Sequence, residues 1–283
     1  MELILFFNIL NSETTNDIVI KIFQCLSIFL YCVSFFFQPI QFYQTKTITG
    51  YKIDFIIMNL FGYSCFLLFK LKGLFNNKIG IKETNPIDLV IIIYLIVIMI
   101  ITIIMIIKYK DEKDLKIYPI VSKIIILLLF GASLLFILES VLEKYNPEEH
   151  INFNYYIYLG LSKYIMDLIK YIPQLILNKS KNSTIGWNIY YIIFELISII
   201  SYYLSIVSQI YNNSLDILNP PENESKLMFY TELIVPFIVI IYDILFIIQH
   251  YLYCDSNEEY FTTYKKDAIL HLPKSNRDSE VFS

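Results

Sequence analysis

Seven long apolar runs, separated by short polar segments, constrain this chain more than any other feature. A helix crosses the hydrocarbon core of a bilayer with about 20 residues, and every run is long enough to do so. Only 17% of the 283 residues are charged and 56% are hydrophobic, which excludes a soluble enzyme and a disordered scaffold. The runs lie at residues 17–37, 52–71, 87–107, 117–142, 154–177, 187–211 and 228–253.

Helices rather than strands are predicted for these runs. Hydrocarbon offers no partners to backbone N–H and C=O groups, so a spanning segment must be a helix or part of a closed barrel. The alternating pattern of barrel strands is absent from the sequence. We therefore predict an all-α membrane protein with seven transmembrane helices. Residues 1–16 would form a short lumenal N-terminus and residues 254–283 a cytosolic tail.

The basic residues predict the orientation. Twelve lysines and arginines fall on one side of the seven spans and six on the other, and the side richer in them faces the cytosol. The C-terminus is then cytosolic and the N-terminus lumenal or extracellular. The sequons at Asn212 and Asn223 would lie in the last lumenal loop as candidate glycosylation sites, whereas those at Asn178 and Asn182 would face the cytosol.

The chain repeats internally at an offset of 136 residues. Gln38 precedes Gly50 by twelve positions, as Gln174 precedes Gly186, and each glycine is followed by an aromatic residue, a polar residue and isoleucine. An offset of about four spans gives both copies the same orientation, as in many transporters, whose substrate site lies between the repeats. The predicted architecture is a three-helix unit at 17–107, a linking helix at 117–142 and a second three-helix unit at 154–253.

Charged residues inside the runs are functional candidates, because ionisable groups are costly in hydrocarbon. In the fifth run, Lys163, Asp167, Lys170 and Gln174 are spaced to lie on one face of a helix. Both lysines can reach Asp167, which leaves a surplus positive charge if the group is only a structural ion pair. An anionic substrate group or an acid from another helix would balance that charge.

Other runs carry acids of their own. Glu195 lies close to the membrane midplane, where low-dielectric surroundings favour the neutral form of a carboxyl group, so it could take up and release a proton. Asp243 lies in the middle of the last run. Asp54 and Asp88 begin the second and third runs, with Asn59 deeper, and Asp88 has an alternative role as a helix cap.

Residues near the ends of the runs receive other interpretations. The pairs Gln38-Pro39 and Pro173-Gln174 lie near the cytosolic ends of their spans. Proline removes a helical hydrogen bond, so each pair either forms a hinge or ends its helix. Glu232, near the lumenal end of the last run, is interpreted as interfacial.

Several of these segments resemble the cystinosin family of PQ-loop proteins, over about residues 17–253. The first motif departs from the family, because its proline follows the glutamine. The segments are Lys170-Tyr171-Ile172-Pro173-Gln174, Ser183-Thr184-Ile185-Gly186-Trp187, Gly50-Tyr51-Lys52-Ile53-Asp54-Phe55, Asn59-Leu60-Phe61-Gly62, Asn85-Pro86 with Asp88, and Tyr242-Asp243-Ile244-Leu245-Phe246-Ile247-Ile248-Gln249-His250.

The resemblance implies a proton-coupled symporter of the lysosomal membrane that exports L-cystine to the cytosol. Its partners would be L-cystine, protons, the bilayer and sorting adaptors, with no cofactor beyond the coupling proton. The family's substrate-binding positions fall on Asn59, Lys163, Lys170, Asn178 and Glu195. Its proton-coupling positions fall on Glu195, Asp243, Asp88 and Asp54.

Other functions remain as alternatives. A second PQ-loop transporter class, for cationic amino acids or sugars, fits the same fold, although two lysines in the site would repel a cationic substrate. A seven-span receptor or a sorting protein is a further alternative from a different class. The sequence contains neither G-x-S-x-G nor H-E-x-x-H, and its three histidines are far apart. We therefore expect neither an enzyme nor a metal site.

Overall fold

A computed structural model describes residues 15–75, 86–109, 119–145, 155–211 and 226–253. All regular secondary structure in these ranges is helical, so the predicted all-α fold is confirmed. Two of the eight helices in these ranges, α5 and α6, share the fifth apolar run, so the described residues form seven helical passes. The helices are α1 Thr15–Thr45, α2 Ile53–Phe75, α3 Pro86–Tyr109, α4 Pro119–Tyr145, α5 Tyr155–Ile169, α6 Ile172–Lys181, α7 Ile189–Tyr211 and α8 Lys226–Leu252.

Most of these helices have the dimensions of membrane spans. Among the described residues, α1, α2, α3, α7 and α8 are long and apolar enough to cross a bilayer, and α4 contains a shorter apolar stretch at Lys123–Phe136. On α3, the side chains of Val90, Ile93 and Val97 are exposed, whereas Leu95 and Met99 are buried. This one-sided exposure of apolar residues is typical of a helix that faces lipid. The sequons at Asn212 and Asn223 lie outside the described residues.

The fifth run is not the single helix that its sequence predicts. The helix breaks at Lys170 and Tyr171, and the second piece continues to Lys181. Pro173 has no N–H to donate to a carbonyl one turn earlier, and it lies instead in the first turn of α6, where that donor is not needed. Pro39 acts differently, because α1 continues past it to Thr45. The alternative in which Pro39 ends its helix is therefore wrong.

The helices pack in two units of the same form. Helix α3 packs against both α1 and α2, and α8 packs in the same way against both α5 and α7. Between the units, α1 packs against α7 and α2 against α5. Exchanging α1, α2 and α3 with α5, α7 and α8 therefore reproduces the same packing. The main contacts of α4 are with α5 and α2.

Candidate functional site

A cavity of about 360 Å³ lies between the two packing units. Its inner end is lined by Lys170 and Glu195, and its outer end by Lys70 and Asp88. The side chain of Asp88 is 43% exposed, so the cavity reaches the surface at the end of the bundle where α1 and α3 begin. We call this the open end, and the other the closed end. The predicted orientation makes the open end lumenal.

An acid shared by two lysines lines the cavity on α5. Asp167 is 2.5 Å from the Lys163 ammonium and 3.0 Å from that of Lys170. The Lys163 ammonium also lies 4.9 Å from the centre of the Tyr164 ring and 5.4 Å from that of Tyr63. Aromatic faces attract cations, so this lysine is held by an acid and by rings together.

Lys170 is the most enclosed cation of the site, with 1% of its surface exposed. Its ammonium donates to the Asn59 side-chain oxygen at 3.2 Å and lies 3.9 Å from Glu195 on α7. The acid that balances the two lysines of α5 therefore comes from another helix. The hydrogen bond to Asn59 on α2 joins the two packing units, and the contact with Glu195 joins α5 to α7 within the second unit.

Two carboxyl groups at the inner end lack a full set of donors. Glu195 accepts a hydrogen bond from the Tyr171 hydroxyl at 2.7 Å through one oxygen, and its second oxygen has no donor among the described residues. Asp243 on α8 is fully buried, and neither of its oxygens has a donor there. It lies close enough to Glu195 and Lys170 for their charges to interact. An ionised carboxylate without donors is costly in such surroundings, so this pair is suited to hold a proton.

Substitution of Lys170 by methionine is expected to destabilise the folded protein by about 3–5 kcal/mol, the range for removing one partner of a buried ion pair. The change leaves Glu195 without a cation within reach. Thermal unfolding in detergent measures the effect. Lys163→Met is the matched control and should destabilise the folded protein less, because Asp167 keeps its ion pair with Lys170. Adding Glu195→Gln to Lys170→Met should recover part of the lost stability. A double variant no more stable than Lys170→Met alone would argue against the contact between Lys170 and Glu195.

The predicted site residues do not all meet in the cavity. Lys163, Lys170, Glu195 and Asp88 line it, and Asn59 and Asp243 lie in contact with or near the charges at its inner end. Two others lie elsewhere. Asp54 is fully buried in the first turn of α2, and Asn178 is buried in α6.

Asn178 is held within a polar network at the closed end. Its side-chain oxygen accepts from Gln174 at 2.8 Å, and its side-chain nitrogen donates to Gln249 at 3.1 Å. Gln249 in turn donates to the backbone carbonyl of Leu175. In this conformation Asn178 therefore lies in α6 outside the cavity lining, and its role in substrate binding stays a prediction.

The glutamine of the first unit binds the backbone of the second. The Gln38 side chain donates to the carbonyl of Gly186 at 3.0 Å and accepts from the N–H of Asn188 at 3.2 Å. The Asn188 side chain also donates to the carbonyl of Phe37. One side chain thus fixes both a donor and an acceptor of the α6–α7 loop.

The glutamine of the second unit makes the reciprocal contacts. Gln174 donates to the carbonyl of Gly50 at 2.8 Å and accepts from the N–H of Lys52 at 2.7 Å. These positions correspond to those around Gln38 at the repeat offset of 136 residues. Each unit therefore recognises the same backbone positions of the other. The role of these glutamines and their neighbouring prolines as hinges stays a prediction.

Between these glutamines the backbones of the two loops touch. A Cβ atom on Gly186 would lie 1.9 Å from the carbonyl carbon of Gly50, and one on Gly50 would lie 2.8 Å from the nitrogen of Gly186. Gly50 also has a φ of +84°, which side chains disfavour. We call the Gly50–Gly186 contact and the two glutamines the seam. No side chain could fit there.

Aromatic rings fill the space beside the seam. The Trp187 ring stacks on Tyr51, with ring centres 5.5 Å apart, and on Phe246, with centres 5.1 Å apart. Phe55 meets the Trp187 ring edge to face. Burial raises the pKa of the Tyr51 hydroxyl, which therefore stays neutral at physiological pH. The rings and the seam together shut this end of the bundle.

Sequence reasoning missed several side chains of the cavity wall. The hydroxyls of Tyr31 and Tyr63 contact each other across α1 and α2, and the Tyr164 hydroxyl donates to Glu232 at 2.9 Å. Glu232 lines the cavity instead of facing only the interface. The same rule that selected Glu195, an acid within an apolar run, would have selected Glu232.

The comparisons with known proteins agree with this architecture. Residues 155–215, which contain α5, α6 and α7, match the PQ loop repeat family. A cystinosin homologue of Dictyostelium discoideum is 27% identical over 250 residues, which are 81% of this chain and 78% of the relative. The chain thus carries a match to the PQ loop repeat and is similar to cystinosin homologues. This confirms the resemblance to the cystinosin family that the sequence motifs indicated.

Two nematode relatives extend the comparison. A cystinosin homologue of Caenorhabditis elegans is 24% identical over 247 residues, and one of Caenorhabditis briggsae is 25% identical over 244 residues. The matches cover 83% and 79% of this chain but only 57% and 55% of the nematode chains, so the chain spans little more than half of their length. The apolar helices and the relatives together support a multi-pass membrane protein that is similar to cystinosin homologues.

Proposed function

We propose that this protein is a proton-coupled symporter that carries L-cystine from the lysosome lumen to the cytosol. The observation that carries the proposal is the buried charge cluster at the inner end of the cavity, where Lys170 meets Asp167 and Glu195 with Asp243 close by. Ionisable groups inside a membrane bundle are expensive and mark pathways for ions and substrates. The position between two repeats is also the place of substrate sites in repeat-built transporters.

The proton would be held by Glu195 and Asp243. Both are buried, and three of their four carboxyl oxygens lack a hydrogen-bond donor among the described residues. A proton on either acid removes a charge that the hydrocarbon surroundings disfavour. Loading of the site from an acidic lumen and release into a neutral cytosol would then give transport its direction.

The carboxylate of the substrate would be received by the lysines of α5. Both ammonium groups already bind Asp167, so a ligand carboxylate would compete with that acid for them. Lys163 is the more accessible, with 16% of its side chain exposed, and is the natural first contact. The amide of Asn59, whose nitrogen lacks a partner among the described residues, would add a donor once Lys170 moves.

Release to the cytosol would require the closed end to open. Separation of the seam would break the four glutamine–backbone hydrogen bonds and uncover Asn178 and Gln249. Asn178 would then reach the substrate only in the cytosol-facing state. This accounts for a family binding position that lies outside the cavity seen here.

Cystine uptake by protein rerouted to the plasma membrane tests the proposal. The open end then faces the medium, and we expect cystine to evoke an inward current at acidic external pH and a much smaller one at neutral pH. Arginine, lysine and sucrose in the same assay form the substrate panel. Current with arginine or lysine but not cystine would favour a cationic amino-acid transporter, and no uptake of any solute by surface-expressed protein would refute transport.

A further inference from the structure

Glu232 presents a carboxylate to the cavity from the second turn of α8. It lines the wall near the open end, is partly buried, and accepts a hydrogen bond from Tyr164 at 2.9 Å. Tyr202, Val235 and Pro236 line the same cavity. The carboxylate therefore borders a space that is large enough for a ligand and is walled mainly by apolar and aromatic groups.

The other acids that line the cavity each have a cation. Asp88 is 3.6 Å from Lys70, Asp167 binds Lys163 and Lys170, and Glu195 lies 3.9 Å from Lys170. Every lysine that lines the cavity is thereby matched to an acid. In the part of the chain that the structure describes, Glu232 has no basic group within 4 Å, and Tyr164 is its hydrogen-bond donor.

This distribution of charge leaves the cavity with an excess of negative charge when all its groups are ionised. Its lining contains three lysines and four acids. A carboxylate in a partly dehydrated wall gains most from a cation that can approach it directly. A ligand with a positive group would neutralise Glu232, whereas a ligand with a second carboxylate and no second amine would be repelled by it.

We infer that Glu232, held by the Tyr164 hydroxyl, forms a subsite for an ammonium or other cationic group of the ligand. This inference rests on the proposed function, because the carboxylate of the same ligand would bind at Lys163 and Lys170. The favoured ligands are amino acids that carry a second cationic group, which includes cystine and the basic amino acids. Because both lysines of α5 are neutralised by acids, they do not exclude such ligands.

Ligand-induced thermal stabilisation of the purified full chain tests the subsite without any proton gradient. The ligands are L-cystine, L-lysine, L-glutamate and agmatine, an amine with a guanidinium group and no carboxylate. We expect Glu232→Gln to weaken binding of cystine, lysine and agmatine by about tenfold or more while leaving glutamate binding unchanged or tighter. Glu232→Asp, which keeps the charge, is the matched control and should retain the preference of the wild type.

The outcomes separate this inference from the function on which it rests. If the wild type binds amino acids and Glu232→Gln lowers the affinity for every ligand equally, or for no ligand, the cationic subsite is refuted and the transport proposal stands. If agmatine binds in a Glu232-dependent way but no amino acid does, the subsite stands and amino-acid transport is refuted. Glu232→Lys gives an independent check, because it should reverse the order of affinity for L-lysine and L-glutamate.

Discussion

Replacement of Glu195 by glutamine is expected to abolish the dependence of transport on lumenal pH while the protein remains folded. The amide resembles the protonated acid in shape and charge but cannot release a proton. Its oxygen can still accept from the Tyr171 hydroxyl, and Lys170 keeps Asp167 as its partner. The ratio of uptake at acidic to uptake at neutral pH should therefore fall to about 1, because the titrating group is gone.

The control for this variant is Glu195→Asp, which keeps the acid with one methylene less and should keep the pH dependence. Asp243→Asn, measured alongside, reports on the second buried acid. Tracer uptake over a range of external pH, with equal surface expression of all variants, is the measurement. A Glu195→Gln variant whose uptake still rises with acidity would move the coupling role to Asp243.

Substitution of Gly186 by alanine is expected to hold the closed end open. The added Cβ would lie 1.9 Å from the carbonyl carbon of Gly50, far inside contact distance, and the opposing atom belongs to backbone that cannot rotate away. The φ of Gly186 is outside the left-handed region, so alanine fits its conformation and the effect is steric alone. The two loops must therefore separate, and net transport should fall to near background, since a carrier that cannot close one end cannot alternate access.

Accessibility of a cysteine behind the seam measures this opening. Phe246 is buried beside Trp187, so Phe246→Cys should react with an impermeant thiol reagent from the cytosolic side only when the end is open. Gly131→Ala is the matched control, because its methyl meets only the side-chain end of Tyr158. Equal labelling in the Gly186→Ala and Gly131→Ala backgrounds would show that the seam does not close this end.

Local sequence patterns predicted much of the fold for a clear reason. The thickness of the hydrocarbon core sets the length of each apolar run, and the lack of hydrogen-bond partners in hydrocarbon requires each run to be helical. The break in the fifth run was less predictable. Pro173 is compatible with either a kink or a helix end. In the structure α5 ends before Pro173, and the short helix α6 packs against α8 and α2.

The candidate site could be predicted only in part. The contacts of Asp167 with Lys163 and Lys170 depend on spacing within one helix, which the sequence specifies. The contact of Lys170 with Glu195 joins residues on different helices, and its distance depends on how α5 and α7 are placed by the packing of the bundle. Asn178 shows the same limit, because the family resemblance assigned it to the substrate site, and in this structure it is bound to Gln174 and Gln249 at the closed end.

The sequence by itself determined that this chain spans a membrane as seven helical passes, that it contains two related units, and that a few acids and lysines lie inside the bilayer. Each of these properties depends on neighbours along the chain. The tertiary structure decided which acid pairs with which lysine, that Gly50 and Gly186 touch, and that Glu232 faces the cavity without a cation among the described residues. These depend on distances between helices, which arise only when the helices pack into the folded bundle.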